Sequence, residues 1–314
     1  MKRNVNKGLE EKREEVFTVG QIAELLKLKI LYADKNREIK LKTVSVNRPG
    51  LILSGFDDYF AQSRIQVLGN AEMYYLYQMT DENRIIALSR LFRMEVPCIV
   101  ITRGLEPCKD MLRLAAEYDT PVLQSAAITS EVVNDIVTFL NDVLAPKTRM
   151  HGTLLDIDGI GVLLTGMSGV GKSETALELI HRGHMLVADD AVELKMVKDT
   201  IQGSSPDKIA DFIELRGVGI INVRNMYGIA GILRKTNVDL VIELVEYDKS
   251  QDYERAETPL QTFNILGVEI PKLTIPVIMG RNLAIIVEVA AKNFRLKQMG
   301  YDANKELLER IGMK

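Results

Sequence analysis

Cysteine and histidine are scarce in this chain of 314 residues: Cys98 and Cys108 are the only thiols, and there are three histidines. Neither cysteine has a histidine close by in sequence, so no zinc-type ligand set can be assembled there, and two thiols cannot make a disulfide framework. The pair points to buried thiols in a reducing compartment. Charge of one sign is not in excess either. Forty Lys and Arg against 43 Asp and Glu leave a formal charge of −3, which gives no reason to expect a nucleic-acid partner. No apolar stretch reaches the roughly 20 residues of a membrane span. The segment Met1 to Glu15 carries charges of both signs and lacks the apolar core of a signal peptide. These absences leave a cytoplasmic protein, with neither membrane nor nucleic acid as partner, as the expectation.

What is present is ordinary globular material, 46% hydrophobic and 26% charged, in a chain long enough for two domains. The first half alternates strand-like pieces (Ile65 to Leu68, Cys98 to Ile101, Pro121 to Leu123) with helical patterns (Asn70 to Gln78, Asp81 to Leu91, Pro107 to Tyr118, Ser130 to Leu144). In the last of these, Val132, Val133, Ile136, Val137, Leu140, Val143 and Leu144 fall on one face, and Ser130 is placed to cap the start. Such alternation predicts a mainly parallel sheet covered by helices. This half contains no acid/base pair, metal set or phosphate loop, so packing or oligomerisation is its expected role. Proline and a basic cluster in Ala145-Pro146-Lys147-Thr148-Arg149 put a boundary there. The fold class is therefore α/β in two domains, an N-terminal α/β domain over 1–145 and a C-terminal nucleotide-binding domain over 146–314.

The second half holds the most informative run, Gly166-Met167-Ser168-Gly169-Val170-Gly171-Lys172-Ser173, a complete G-x-x-x-x-G-K-[ST] loop. A turn containing Gly could match this pattern by chance. Here an apolar strand-like run, Ile160 to Thr165, precedes it, and a helical pattern from Glu174 to Ile180 follows, which is the context a phosphate cradle requires. Backbone N–H groups in such a loop turn inward on phosphate oxygens, and the following helix adds its positive dipole end. Lys172 would reach the β- and γ-phosphates, and the Ser173 hydroxyl would hold Mg²⁺.

An apolar strand, Met185 to Ala188, ends in Asp189-Asp190, where the loop helix returns the chain beside the loop. A carboxylate there can hold the metal or take a proton from an attacking hydroxyl. In extended backbone the two carboxylates point to opposite sides, although Asp-Asp is also common in solvated turns. Glu214 and Arg216 stand inside an apolar segment, Phe212 to Val223. Either they pair with each other and neighbours or they face a polar site, because burying them unpaired would cost several kcal/mol. His151 alone reads as packing or surface, and Arg255 lies in a charged stretch that reads as solvated. Pro276 to Asn282 is a turn before a helix from about Leu283 to Met299, and a last helix runs from about Asp302, its N-cap, to Ile311.

At these residues the chain closely resembles the bacterial HPr kinase/phosphorylase family, enzymes acting on a seryl hydroxyl of the phosphocarrier HPr. The matching stretches are Gly166 to Leu177, Arg182 to Asp190, Ile213 to Val223 and Leu266 to Asn282, with weaker similarity such as Ile101 to Pro107 in the first half. The resemblance implies that Gly166 to Ser173 bind ATP, that Lys172 is catalytic, and that Ser173 and Glu214 hold Mg²⁺. It makes Asp190 the first choice for the base that takes the serine proton, with Asp189 as the fallback, and raises His151 and Arg255 to active-site positions. The implied reverse reaction is a phosphorolysis, in which inorganic phosphate attacks phosphoserine and releases pyrophosphate. A homohexamer, carbon catabolite regulation and docking of HPr by the final helices are implied as well. One departure stands out: where family members usually read Pro-Val-Arg-Pro-Gly-Arg-Asn, this chain has Pro276-Val277-Ile278-Met279-Gly280-Arg281-Asn282. The segment is tied to dephosphorylation, so reduced phosphorylase activity beside intact kinase activity is expected. A nucleotide sensor that transfers nothing, or a small-molecule kinase, would share the loop. The sensor has no use for Asp190, Glu214, His151 and Arg255 together, and the small-molecule kinase would need an acceptor pocket.

Overall fold

The computed structural model describes residues 14–248, 261–278 and 280–311. Two compact units divide the chain, Met1–Ala145 and Pro146–Lys314. Arg255 and Met279 lie outside the described residues.

In the first unit the elements follow as β1 (Glu15–Thr18), α1 (Val19–Leu25), β2 (Lys29–Tyr32), β3 (Glu38–Leu41), β4 (Val46–Asn47), α2 (Gly50–Ser54), β5 (Ile65–Leu68), α3 (Asn70–Gln78), α4 (Asp81–Phe92), β6 (Ile99–Ile101), α5 (Lys109–Glu117), β7 (Val122–Gln124) and α6 (Thr129–Val143). A five-stranded sheet runs β2-β7-β6-β5-β4, parallel throughout except for β2 at its edge. The parallel core is the predicted one; the small β1–β3 ribbon is an addition the pattern did not signal. Ile99 and Ile101 face one apolar layer with Phe92, Leu88 and Met111. Val100 faces the other with Ile22, Ile136 and Leu140, as period-two strands buried on both faces require.

Two expectations are corrected here. Helix α6 starts one residue early, with Ile128 at its N-cap and no side-chain cap. Ser130 therefore sits inside the first turn, and the neighbouring Thr129 hydroxyl bonds to that of Thr102, 2.8 Å away, tying the helix start to the end of β6. Of the two thiols only Cys98 is buried, and burial pushes its pKa up to about 12; Cys108 is half-buried.

The second unit continues with β8 (Lys147–His151), β9 (Thr153–Ile157), β10 (Ile160–Gly166), α7 (Lys172–His181), β11 (Met185–Ala188), β12 (Ala191–Val197), β13 (Thr200–Ser204), β14 (Phe212–Leu215), β15 (Gly219–Asn222), α8 (Val223–Tyr227), β16 (Lys235–Asn237), β17 (Leu240–Glu246), β18 (Gln261–Ile265), β19 (Val268–Val277), α9 (Leu283–Gln298) and α10 (Ala303–Arg310). Its main sheet has the order β11-β9-β10-β17-β19-β18, with β10, β17 and β19 mutually parallel. Strand β10 thus lies inside the sheet, and its carboxyl end delivers Gly166 to the edge where ligands bind in α/β sheets. Asp158 and Gly159, both at positive φ, turn β9 into β10 as a tight hairpin.

Helices α7 and α9 cover one face of this sheet through Leu179, Ile180, Val287 and Phe294. The opposite face packs on a four-stranded antiparallel sheet, β16-β13-β12-β8, through Leu163, Val241, Val192 and Ile201. Gly161 is required where the chain crosses the sheet, because a Cβ there would lie 1.6 Å from the Asn237 carbonyl oxygen. Asp302 caps α10 by accepting from the Asn304 and Lys305 N–H groups, as predicted.

Candidate active site

Three glycines shape the loop after β10. Gly166, Gly169 and Gly171 all have positive φ, and a Cβ at Gly166 would approach the Leu244 carbonyl oxygen to 2.3 Å. Helix α7 begins directly behind Gly171 with no side-chain cap, so no side chain occupies its N-terminal amides. Lys172 is buried, and its Nζ donates to the carbonyl oxygens of Gly166 and Met167, each at 3.0 Å. Burial lowers its pKa, and Asp189, Asp190 and Glu174 pull the other way. An ammonium held by loop carbonyls at the mouth of a helix dipole is a ready partner for phosphate oxygens.

The two aspartates occupy different environments. Asp189 is buried at the end of β11. Its carboxylate accepts from Thr153 Oγ1 at 2.6 Å and from Ser173 Oγ at 2.9 and 3.1 Å, and the Glu214 N–H lies 3.5 Å away. Asp190, with an exposed side chain, adopts φ 65°, so the backbone is not extended and the simple alternation expected of the pair does not apply. Instead a left-handed turn throws the second carboxylate outward, where His151 Nδ1 lies 3.0 Å from Oδ1 and 2.9 Å from the Asp190 carbonyl oxygen. His151 reaches it because β8 pairs with β12 in a register that sets His151 opposite Ala191.

Burial raises the Asp189 carboxyl above its ordinary 3.8, its hydroxyl bonds opposing. A folded-state acid with a raised pKa holds its proton longer than the unfolded chain does. Its contribution therefore favours folding below the ordinary value and is lost as pH climbs through the folded one. At neutral pH the ionised group is a liability. Asp189→Asn, whose single amide oxygen at the Oδ1 position can still accept from Thr153 and Ser173, is expected to raise stability at pH 7 by about 1 kcal/mol. Thermal unfolding checks this: the gain should shrink toward acid pH, and a less stable variant at pH 7 would refute it.

Strand β14 supplies the remaining wall. Ile213 and Leu215 are buried, and Glu214 and Arg216 between and after them point outward into the cleft. Both residues line the same polar cleft. The Arg216 guanidinium rests against the loop, so that a Cβ at Gly169 would come within 2.8 Å of its Nη2. The family resemblance gives Arg216 no role, and its place two residues past Glu214 is the signal in the chain that puts it on the same side.

One cleft of about 220 Å³ gathers these groups: Ser168, Gly169, Gly171, Lys172 and Ser173 from the loop, Asp189 and Asp190, His151, and Glu214 with Arg216. Met167 and Val170 belong to the loop backbone, Met167 exposed at its tip. A larger cleft of about 490 Å³ in the first unit is lined by Arg37, Lys40, Lys42 and Arg93. Its cations are already engaged, by Asp119, Glu14 and the Tyr118 hydroxyl, and Glu38 and Glu95 line it beside them.

The residues at the loop suit Mg²⁺ with a nucleotide. Ser173 Oγ and the Asp189 and Glu214 carboxylates are hard oxygen donors around one cleft. Among the described residues no group of three or more His, Cys, Asp or Glu side chains forms a metal cage. A cation there would complete its shell with phosphate oxygens and water, the usual arrangement for Mg²⁺.

The chain matches the family model described as the HPr Serine kinase C-terminal domain over residues 142–311, and that of the HPr Serine kinase N terminus over residues 17–140. It is 46% identical over 292 residues to the HPr kinase/phosphorylase of Thermoanaerobacter sp. (strain X514), covering 91% of this chain and 96% of that protein. It is 46% identical over 296 residues to the HPr kinase/phosphorylase of Caldicellulosiruptor bescii, covering 94% and 95%. Among solved structures, the HPr(Ser) kinase/phosphatase from Coxiella burnetii matches at 38% identity with a TM-score of 0.47, covering 51% of this chain and 98% of that one.

Proposed function

The chain belongs to the HPr kinase/phosphorylase family of enzymes, and on that premise we propose that it transfers the γ-phosphoryl group of ATP to a seryl hydroxyl of HPr in this cleft. Gly166 to Ser173 bind the triphosphate, and Lys172 offsets charge on the transferring group. Ser173, with Glu214 and Asp189 beside it, holds Mg²⁺, which when bound neutralises phosphate charge. Asp190 accepts the serine proton as the serine oxygen bonds to phosphorus and the bond to the β-phosphate oxygen breaks. His151 keeps that carboxylate turned toward the cleft. Arg255, outside the described residues, is assigned to the same site from the family resemblance. In the reverse direction an oxygen of inorganic phosphate attacks phosphoserine, the serine oxygen leaves with the proton from Asp190, and pyrophosphate is the product.

The observation that carries this reading is the division of labour in the aspartate pair: Asp189 bonds to the loop hydroxyl, and Asp190 faces outward against His151. A group poised for metal beside a group poised for a proton is the arrangement that phosphoryl transfer to an alcohol uses. Incubation with labelled ATP, Mg²⁺ and purified HPr tests it. Label on an HPr serine is expected, followed by release of labelled pyrophosphate when inorganic phosphate replaces ATP; no label on HPr refutes the assignment. The proposal extends to a homohexamer working in the cytoplasm in carbon catabolite regulation, and light scattering of the purified chain tests the assembly. Among the described residues no helix is long and apolar enough to cross a membrane.

Ile278 bears on the balance of the two directions. It is half-buried just past the end of β19, and its carbonyl accepts from the Arg281 N–H at 3.2 Å. An arginine there would add one charge-assisted contact to phosphate, on the order of 1.5–3 kcal/mol, or roughly ten- to a hundredfold. Ile278→Arg is therefore expected to raise phosphoserine-HPr turnover by that factor with kinase rates little changed. Equal phosphorolysis by the two proteins would show that Ile278 does not limit the reverse reaction.

A further inference from the structure

The β14–β15 hairpin exposes more apolar surface than a solvated hairpin should. Its inner face is satisfied: Ile213 and Leu215 are buried, and Ile221 packs on the same core. The outer face should then be polar. Phe212 is 41% exposed and Ile220 74%, and Val218 at the turn is also 74% exposed. The register sets Ile220 directly opposite Glu214, and paired residues of an antiparallel ladder project to the same side. Ile220 therefore stands on the face that carries the cleft residues Glu214 and Arg216. A groove of about 300 Å³ between α7 and the hairpin continues from that cleft, since Glu174 and Arg216 line both. Leu177, Tyr227 and Val218 form its apolar walls, and its charged lining mixes Glu174 and Glu178, the latter paired with Arg182, with Arg216.

Phosphate and metal need none of this apolar surface, whereas a protein acceptor must lay the chain around its serine against the rim of the cleft. We propose that the outer face of the hairpin, Phe212, Val218 and Ile220, together with the α7 groove, docks the acceptor protein through an apolar segment flanking the phosphorylated serine. The inference rests on HPr being the acceptor. Contiguous exposed apolar surface of this kind marks interaction sites, and this patch is continuous with the place where the two reacting groups must meet.

Steady-state kinetics with purified HPr test the proposal on Ile220→Ser and, separately, Val218→Ser. The KM for HPr should rise at least tenfold in Ile220→Ser and several-fold in Val218→Ser, with the KM for ATP within twofold of the parent. Parallel rises in both KM values would mean that the hairpin had been distorted and would overturn the assignment. So would an unchanged KM for HPr accompanied by a smaller assembly in light scattering, because a second copy of this chain would then be the occupant. If the parent chain fails to label HPr, the acceptor reading itself falls; if the parent labels HPr and the variants match it, only the docking face falls.

Discussion

Asp190→Asn lowers kinase turnover by about 10²–10⁴-fold, the usual contribution of a positioned general base, while affinity for ATP changes by less than about threefold. The substitution isolates proton transfer from architecture. Asparagine tolerates the left-handed φ of 65° that this position adopts, and its amide oxygen can stay beside His151 Nδ1, now 3.0 Å from the carboxylate. Size, backbone and the contact to β8 are kept; the capacity to accept a proton from an alcohol is not. Because the same group returns the proton in the reverse direction, phosphorolysis should fall alongside. Initial rates over a range of ATP concentrations decide the matter. Equal losses in turnover and in ATP affinity would move Asp190 from proton transfer to binding.

Lys172→Met should cost about 10³-fold in turnover, in the range seen when a single charge-stabilising group is removed from a phosphoryl-transfer or oxyanion site. Methionine preserves the length of the buried stem but leaves the carbonyl oxygens of Gly166 and Met167 without the donor that now bonds both at 3.0 Å. Some loss of loop order therefore accompanies the loss of charge. Measuring ATP binding by calorimetry and transfer by labelled HPr separates the two. Turnover above a tenth of the parent value would show that the helix N-terminus and metal suffice without the ammonium. Burial lowers the Lys172 pKa below 10.5, so in the nucleotide-free protein the ammonium is lost at lower pH than for a solvated lysine.

The loop was legible because its chemistry is local. Glycines at positive φ, a lysine and a serine stand within eight consecutive residues, with a strand before and a helix after. The alternating helices and strands of the first unit, and the two closing helices, were legible for the same reason: their periodicities lie within one segment. What was not legible depends on pairing between distant segments. Nothing near Thr153 announces that β9 separates β10 from β11, or that its hydroxyl will bond Asp189 across 36 residues of chain. The second, four-stranded sheet escaped although β12 alternates strictly, because β8 has one apolar residue and β16 none, and the four segments find each other only by tertiary packing. For Arg216 the chain leaves pairing and a polar site both open, because its neighbour Gly169 lies 47 positions earlier and only folding brings the guanidinium onto the loop. Ser130 misled because a good capping residue stood one turn-position inside the helix that the Thr102–Thr129 bond had already started.

The pairing of β11 with β9 skips a step between Leu186 and Ala188, so one residue of β11 goes unmatched. Val187 and Ala188 consequently turn to the same apolar layer, while Leu186 turns to the other. Such irregularities re-aim the side chains that follow them. Deleting Val187 would leave Leu186 opposite Leu155 and Ala188 opposite Leu154, so strict alternation returns while the two acids after Ala188 keep their places. A Val187-deletion variant that still transfers label to HPr is the expected result, and one that folds but transfers none would disprove the point. The bulge thus frees the acids from the count of residues before them, and the pairing of Ala188 with Leu154 and the left-handed turn at Asp190 hold them in place.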